Sequence, residues 1–272
     1  MFDPYFAKWG LVPDGEPIVT RAARLLPVLR RGEPAMLKLS FEEDERLGGA
    51  VMEWWDGDGA ASVLAREEHA LLLERATGFA SLADMTRTGQ DDEACRILCQ
   101  TAARLHAPRA RPSPNLTPLS QWFRELAPAA RIHGGILSRC AETAQKLLRD
   151  QREIVVLHGD LHHDNVLDFG ERGWLAIDPK HIEGERGFDF ANIFTNPDLA
   201  DPTRPVATVP GRFARRLEVV TEAAKLDRLR LLCWILAWTG LSAAWYLSDG
   251  DPMAEIDLHI ARLAAAEIDH MS

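Results

Sequence analysis

The sequence predicts an α+β protein with two lobes, a small antiparallel β lobe that contains one helix and a larger lobe that is mainly helical. Two observations carry this prediction. Short apolar segments separated by turn residues fill most of the first 75 residues, as is typical of paired strands. Further along the chain, apolar residues recur at helical spacing over longer segments. We therefore expect one lobe at 1–75 and the other at 76–272.

The small lobe is predicted to contain short strands and a single helix. In segment 41–55, Leu47, Val51 and Trp55 fall on one helical face, and the sequence Asp-Gly-Asp-Gly at 56–59 ends the helix. The strands are expected at 16–20, 35–39, 62–65 and 69–74, with 22–29 as a strand or a short helix.

The larger lobe begins after Thr77 and Gly78, where the pattern changes. Residues 91–106 form the clearest amphipathic helix, because Ala94, Ile97 and Leu98 recur at burial spacing. Prolines predict loops at 108–118 and 201–211. Further helices are expected at 119–127, 137–150, 188–194, 211–221, 225–247 and 253–269.

Composition and charge limit the class of partner. The chain carries 41 acidic and 31 basic residues, for a net charge of −10. Nucleic-acid binding normally requires a basic face, so we expect no nucleic-acid partner. A negative cleft attracts cations, and the balance therefore fits a cationic small-molecule substrate.

The sequence also predicts where the protein acts. It contains no run of about 18 apolar residues, so no membrane span or membrane partner is expected. The start of the chain lacks a signal-peptide pattern, and the four cysteines form no CxxC pair. These features point to the cytoplasm, and nothing in the sequence indicates an obligate interface, so we expect a monomer.

The strongest functional signal lies between residues 154 and 178. An apolar strand at 154–157 leads into His158-Gly159-Asp160, and Asn165 follows Asp160 by five positions. Short strands at 166–167 and 174–177 then predict a hairpin that returns Asp178 to Asn165. Phosphoryl transfer needs a carboxylate at the acceptor hydroxyl and oxygen ligands for Mg²⁺. We expect Asp160 to be the catalytic base, and Asn165 and Asp178 to bind the metal.

This spacing equals that of the protein-kinase catalytic loop. The segment His-Gly-Asp-Leu-His-His-Asp-Asn at 158–165, with Ile-Asp-Pro-Lys at 177–180 in place of Asp-Phe-Gly, resembles the aminoglycoside phosphotransferase family. Within that family, the chain is most similar to the streptomycin 6-phosphotransferases, or aminoglycoside/hydroxyurea resistance kinases. Further matching segments lie at 36–38, 54–60, 71–74, 173–179 and 240–245.

The resemblance implies a bilobal protein-kinase-like fold that uses ATP and Mg²⁺. It implies that Lys38 reaches the α- and β-phosphates and pairs with a helix carboxylate, which we assign to Glu45, with Glu42 and Glu53 as alternatives. The hinge at 73–76, including Glu74 and Ala76, would receive the adenine through its backbone. The small lobe then binds the nucleotide, and the large lobe holds the catalytic residues and the acceptor.

Asp189 matches the aspartate that supports the catalytic loop in this family. A glycine-rich loop does not precede Lys38, and the candidate phosphate loop is 20–24.

The implied function is transfer of the ATP γ-phosphate to a hydroxyl of a streptomycin-like aminoglycoside, which confers resistance. Another small acceptor, such as choline, homoserine, a sugar or hydroxyurea, is the alternative. A metallophosphoesterase is disfavoured because its Asn-His-Asp and early Asp-x-His segments are missing. An inactive kinase-fold binding module is disfavoured because Lys38, Asp160, Asn165 and Asp178 are all present.

Two further sets of residues allow structural or functional interpretations. Trp234, Trp238 and Trp245 share a helical face, which predicts core packing and leaves a substrate wall as the alternative. Acidic residues in 249–257 are expected on a solvated face. Recognition of a cationic substrate by that run, or by Glu183 and Glu185, is the alternative.

Overall fold

The computed structural model describes residues 1–20, 22–40 and 43–271, but not the side chains of residues 43–45. Within that description, the first lobe is built on an antiparallel sheet of six strands in the order β1-β3-β4-β6-β5, with β2 paired to β3. The strands are β1 Leu11–Pro13, β2 Ile18–Val19, β3 Ala23–Arg30, β4 Glu33–Ser40, β5 Val63–Arg66 and β6 Ala70–Glu74. The segment expected as strand or short helix is therefore strand β3.

The β3–β4 hairpin places Lys38 in the cleft between the lobes. Its two-residue turn has positive φ at Arg31 (54°) and Gly32 (86°), the backbone that tight antiparallel hairpins favour. Along β4, Leu37 and Leu39 enter an apolar cluster on one sheet face. Because strand side chains alternate, Lys38 projects from the opposite face.

A short helix that the sequence analysis missed covers the outer face of this sheet. Helix α1 (Asp3–Trp9) starts with a proline in its first turn and ends at Gly10, whose φ is 64°. Its aromatic residues, including Phe6 and Trp9, pack against the cluster of β-strand side chains. Seven residues are too few to show helical periodicity clearly, so the expectation of a single helix in this lobe was wrong.

Helix α2 (Glu43–Trp55) connects the sheet to the second lobe. At Gly48 an added Cβ would lie 2.2 Å from the carbonyl oxygen of Pro179, so only glycine permits this close approach. The contact holds α2 against the segment that directly follows Asp178. The first two residues of the predicted helix, 41 and 42, lie outside the described residues.

The second lobe is mainly helical, as predicted. Its helices are α3 Leu82–Arg87, α4 Asp91–Leu105, α5 Leu119–Trp122, α6 Leu126–His133, α7 Ile136–Arg149, α8 Arg212–Ala224, α9 Arg228–Ser248 and α10 Ala254–Met271. Two small sheets, β7 Thr117–Pro118 with β8 Ile154–Leu157 and β11 Ile182–Glu185, and β9 Val166–Asp168 with β10 Trp174–Ala176, carry the loops between the lobes. Helix α3 was not predicted, and the expected helix at 188–194 is a 3-10 helix over Arg186–Phe194.

Helix α9 is the centre of this lobe. It is long and apolar enough to cross a membrane, judged by length and composition alone. Its apolar residues face neighbouring helices, and 72% of its most apolar 18-residue stretch is buried inside the protein. Enclosure on all sides explains why the helix lacks a polar face.

A buried ion pair joins α4, α8 and the 3-10 helix. The Arg216 guanidinium donates through Nη2 to Asp91 Oδ1 at 2.8 Å, and through Nη1 to the carbonyl oxygens of Ile193 and Asn196 at 2.6 Å each. Both charged side chains are buried. This pair fixes the segment that leads from the catalytic loop to the wall of the acceptor cavity described below.

We expect Arg216→Met to lower the free energy of unfolding by about 3–5 kcal/mol, because Asp91 would keep a buried charge without its main partner. The matched control is Arg215→Met, which removes a half-exposed pair with Asp92 and costs at most about 1 kcal/mol. Urea unfolding followed by circular dichroism measures both. Equal losses for the two variants would contradict this account.

Candidate active site

The β9–β10 hairpin brings Asn165 and Asp178 together, as the sequence predicts. Val166 pairs with Ala176, and the Ile177 amide donates to the Asn165 carbonyl oxygen at 2.9 Å. The Asn165 side-chain amide donates to the Asp160 carbonyl oxygen at 2.8 Å, which uses its nitrogen and leaves its oxygen as a hard ligand. Asp160, Asn165 and Asp178 therefore occupy one site at the end of strand β8.

Asp189 holds the start of the catalytic loop. Its carboxylate accepts hydrogen bonds from the amides of His158 at 2.8 Å and Gly159 at 2.7 Å, and His106 Nε2 lies 2.8 Å from the same group. The carboxylate is buried, so these partners replace water. Sequence reasoning found Asp189 but missed His106, whose only signal is its position at the end of the predicted helix 91–106.

His158 links the catalytic loop to Ile177, the residue before Asp178. Its Nδ1 accepts from the Asp160 amide at 3.2 Å, and its Nε2 donates to the Ile177 carbonyl oxygen at 2.8 Å. Burial lowers the pKa of the ring, more than the neighbouring carboxylates Asp189 and Asp160 raise it, and so favours the neutral form. The neutral ring therefore bridges the catalytic loop and the residue before Asp178.

The Asp160 side chain is 29% exposed and faces three nitrogen groups. Asn192 Nδ2 donates to its Oδ1 at 2.8 Å, His162 Nε2 lies 3.8 Å from Oδ1, and Lys180 Nζ lies 3.7 Å from Oδ2. Burial raises the pKa of this carboxyl, but His162, Lys180 and His158 together outweigh that effect and lower it. Asp160 is thus ionised at neutral pH.

Asp178 contacts Lys38 across the cleft between the lobes. The carboxylate accepts from the Lys38 ammonium, whose side chain is buried, while Asp178 itself is 42% exposed. Asp178 has φ of 63°, a left-handed conformation that brings the chain sharply out of strand β10. The contact joins the sheet of the first lobe to the hairpin of the second.

A cavity of about 270 Å³ lies between the lobes beside this contact. Lys38 and Asp178 belong to its lining, and so do the consecutive residues Glu74 to Ala76. The Glu74 side chain turns away toward Arg172 and the Ser62 amide, so its main chain borders the cavity. Most of the remaining wall is apolar: Leu25, Met36, Leu73, Leu167, Phe169 and Ile177.

The assigned partner of Lys38, Glu45, lies outside the described side chains, as does the alternative Glu42. The other alternative, Glu53, instead pairs with Arg66, with 2.8 Å between carboxylate and guanidinium. In the candidate phosphate loop, Arg21 lies outside the described residues, and the Thr20 hydroxyl accepts from the Ala23 amide at 3.0 Å.

A second cavity of about 270 Å³, which we call the acceptor cavity, has Asp160 in its lining. Trp238 and Trp245 form an aromatic wall, with ring centroids 5.7 Å apart in edge-to-face geometry. Trp234 instead belongs to the core, where its indole donates to Glu185 at 2.8 Å. The remaining lining residues are His162, Asn192, Asn196, Leu199, Ala200, Ser242 and Tyr246.

The tryptophan row therefore extends from the core to the acceptor cavity. Trp234 and Trp238 are both buried in the core, but Trp238 also lines the acceptor cavity together with the half-buried Trp245. Glu185, proposed as an alternative substrate contact, is buried and bonded to Arg230. It stabilises the lobe and lies outside the acceptor cavity.

Asp257 corrects the expectation of a solvated acidic run. Its side chain is 0% exposed because the first turns of α10 pack on α9. In the described structure neither carboxylate oxygen meets a donor in hydrogen-bond geometry. Burial raises the pKa of Asp257 well above its usual range, and the nearby Ser242 hydroxyl lowers it only in part.

We expect Asp257 to make stability fall as pH rises from 5 to 8. The folded state keeps the proton that the unfolded state loses above about pH 4, so the unfolded state binds fewer protons and the slope reaches about 1.4 kcal/mol per pH unit. Asp257→Asn removes this effect, so its stability relative to wild type should improve with pH. Urea unfolding at pH 5 and pH 8 tests this, with Glu255→Gln as the exposed control on the same helix. Parallel pH curves for wild type and Asp257→Asn would contradict it.

Together these features define a class of protein. The β lobe and the helical lobe enclose one cavity, whose lining includes the Lys38–Asp178 contact. The ionised Asp160 lines a second cavity. This is the arrangement of a kinase with a protein-kinase-like fold that phosphorylates a small molecule.

The family assignment follows from comparison with known proteins. Residues 8–250 match the family described as aminoglycoside/hydroxyurea antibiotic resistance kinase, and the chain belongs to that family. The chain is 53% identical to streptomycin 3''-kinase of Klebsiella pneumoniae over 265 residues, which are 96% of this chain and 99% of that protein. It is 32% identical to streptomycin 6-kinase of Streptomyces griseus, over 89% of this chain and 81% of that one.

A solved structure confirms the predicted fold. An aminoglycoside phosphotransferase, APH(4)-Ia, in a ternary complex with ADP and hygromycin B superimposes with a TM-score of 0.62. The superposition covers 98% of this chain and 96% of that one at 15% identity, so it speaks to the fold alone. This structure confirms the predicted fold class, and the family match and the streptomycin kinase relatives confirm the predicted family and kinase activity.

Proposed function

We propose that this kinase transfers the γ-phosphate of ATP to the 3''-hydroxyl of streptomycin and so confers resistance to it. The observation that carries the proposal is an acceptor cavity that opens directly at the ionised Asp160. The choice of hydroxyl rests on the 53% identity with a streptomycin 3''-kinase, against 32% with a 6-kinase.

The acceptor cavity suits a cationic, hydroxylated ligand. Trp238 and Trp245 line the cavity, and the face of an aromatic ring attracts guanidinium and ammonium groups. Asn192, Asn196 and Tyr246 supply polar groups for hydroxyls. The net charge of −10 adds long-range attraction for the same class of molecule.

Asp160 is the proposed catalytic base. Asn192 holds one carboxylate oxygen, so the acceptor hydroxyl binds the other and gives up its proton there as the new P–O bond forms. The transition state of phosphoryl transfer is loose, and the base therefore acts chiefly by positioning the hydroxyl.

Asn165 and Asp178 are the proposed Mg²⁺ ligands. They fit this ion, because each offers a hard oxygen, and Mg²⁺ is usually held by one or two protein groups together with substrate phosphates. Among the described residues no cluster of three or more histidine, cysteine or acidic side chains could hold a metal, which disfavours a transition-metal site. When bound, Mg²⁺ neutralises charge on the β- and γ-phosphates.

The nucleotide site is proposed in the cavity between the lobes. Lys38 lies at its inner end for the α- and β-phosphates, and the backbone of Glu74 and Ala76 borders its outer end for the adenine. Glu45 stays the proposed partner of Lys38. We propose that residues 1–75 bind the nucleotide, that 76–272 bind the acceptor, and that the protein acts as a cytoplasmic monomer.

An ADP-release assay over a panel of acceptors tests the proposed function. We expect streptomycin to stimulate ADP release, and hydroxyurea, choline and aminoglycosides built on 2-deoxystreptamine to leave it at the background rate. If another acceptor stimulates ADP release and streptomycin does not, the substrate assignment is overturned. Expression of the wild type should raise the streptomycin concentration that inhibits bacterial growth. Expression of the control variant Asp160→Ala should not.

A further inference from the structure

Lys180 lies beside the proposed catalytic base, Asp160. Its Nζ is 3.7 Å from Asp160 Oδ2, and its side chain is only 22% exposed. Its amide donates to the His158 carbonyl oxygen at 2.7 Å. An added Cβ at Gly159 would lie 2.9 Å from the Lys180 Cβ, so glycine there allows the lysine to cross the catalytic loop. Backbone and side chain are both held in place.

A plain counterion role does not account for this placement. A cation beside a general base lowers the pKa of that base, as Lys180 does here for Asp160, and so weakens it. Phosphoryl transfer tolerates a weak base, but it requires positive charge around the equatorial oxygens of the transferring group. Lys180 is therefore better suited to the phosphoryl group than to Asp160.

The position of Lys180 along the reaction path supports this role. The γ-phosphoryl group must pass from the nucleotide cavity, which ends at Lys38 and Asp178, to the acceptor hydroxyl at Asp160. Lys180 is close to both ends of this path, because it follows Asp178 by two residues and its ammonium lies 3.7 Å from Asp160 Oδ2. Lysine carries a compact ammonium with three N–H donors, which can bind a phosphoryl oxygen.

We propose that Lys180 is a further catalytic residue that binds an equatorial oxygen of the γ-phosphoryl group during transfer. In this step the bond from the γ-phosphorus to the β–γ bridging oxygen breaks, and the bond from phosphorus to the acceptor oxygen forms. The hydroxyl proton goes to Asp160, ADP leaves with the bridging oxygen, and Lys180 keeps its proton throughout. The inference rests on the proposed phosphotransferase function.

Lys180→Met, Lys180→Arg and the exposed control Lys146→Met test the proposal. We expect Lys180→Met to lower kcat about 10²- to 10³-fold, with each KM within about threefold of wild type, because the interaction forms mainly in the transition state. Lys180→Arg should recover part of the loss, and Lys146→Met should match the wild type. A kcat for Lys180→Met within threefold of the wild type would overturn the proposal.

A binding measurement separates catalysis from structural support. MgADP with aluminium fluoride mimics the transferring phosphoryl group, and its affinity should fall in Lys180→Met about as far as kcat falls. The affinity for AMP-PNP should stay unchanged. Equal losses for both ligands would show a structural role and overturn the proposal.

The acceptor assignment can fail independently of Lys180. If the wild type hydrolyses ATP but does not phosphorylate streptomycin, the acceptor assignment is wrong. The Lys180→Met comparison then continues on ATP hydrolysis, where a rate equal to the wild type overturns the Lys180 proposal and a large loss supports it.

Discussion

Asp160→Ala is expected to lower kcat for streptomycin phosphorylation about 10²- to 10⁴-fold, the range in which a positioned general base contributes. The carboxylate is the group at the junction of the acceptor cavity with the catalytic loop, and it is held there by Asn192. Its loss leaves the hydroxyl without an acceptor for its proton. Binding of MgATP should survive, because the nucleotide cavity is lined by other residues. Steady-state kinetics and calorimetric titration with AMP-PNP measure the two effects.

The matched control is Asp164→Ala, in the same loop. The Asp164 side chain is exposed and lies outside both cavities, so we expect kcat to stay within about threefold of the wild type, as for ordinary surface substitutions. Asp160→Asn keeps the size of the side chain and should be nearly as impaired as Asp160→Ala. Similar losses for Asp160→Ala and Asp164→Ala would contradict the assignment of the base.

Asp178→Asn is expected to lower kcat by about 10³-fold or more, comparable to the loss of other groups that stabilise phosphoryl charge. Asparagine tolerates a positive φ, so the backbone at 63° can persist and the change removes chiefly the charge. The variant weakens the metal site and frees Lys38 from its carboxylate partner at 178. Activity should therefore require a higher Mg²⁺ concentration, measured by titrating Mg²⁺ at fixed ATP.

Asp168→Asn is the control on the same hairpin. Its carboxylate accepts from the Gly170 amide at 2.9 Å, and asparagine can accept through its side-chain oxygen. This variant should keep both kcat and the Mg²⁺ requirement within about threefold of the wild type, as a substitution outside the site should. If Asp178→Asn shows the same Mg²⁺ requirement as the wild type, Asp178 is not a metal ligand.

The parts of the site that the sequence predicts are those set by local structure. Asn165 and Asp178 flank a short hairpin, and antiparallel pairing of its strands determines their separation. Asp160 sits in the loop that precedes the hairpin. Such short-range geometry can be read from spacing alone, and the same is true of the β4 strand that carries Lys38.

The residues that sequence reasoning missed reach the site through tertiary packing. Lys180 arrives because Gly159 lets it cross the loop, and Asn192 arrives from a 3-10 helix one turn after Asp189. His106 comes from a helix end 83 residues before its partner Asp189. No periodicity links these positions, so their convergence appears only in the folded chain.

The burial of an acidic side chain was the other property that the sequence did not reveal. Asp257 has the sequence context of a helix start, where carboxylates are usually solvated and favourable. Its burial depends on the packing of α10 against α9, and thus on residues far away in the chain. Tertiary packing likewise decides that Trp238 lines the cavity and Trp234 does not, although both are buried.

The product of the wild-type reaction tests the central claim most directly. The protein is incubated with MgATP and streptomycin, and the isolated product is examined by mass spectrometry and by ³¹P–¹H correlation NMR. We expect the product to be streptomycin with one phosphate monoester. The phosphorus should couple to the proton on the carbon that bears the 3''-oxygen. Streptomycin recovered unmodified while ATP is consumed would contradict it.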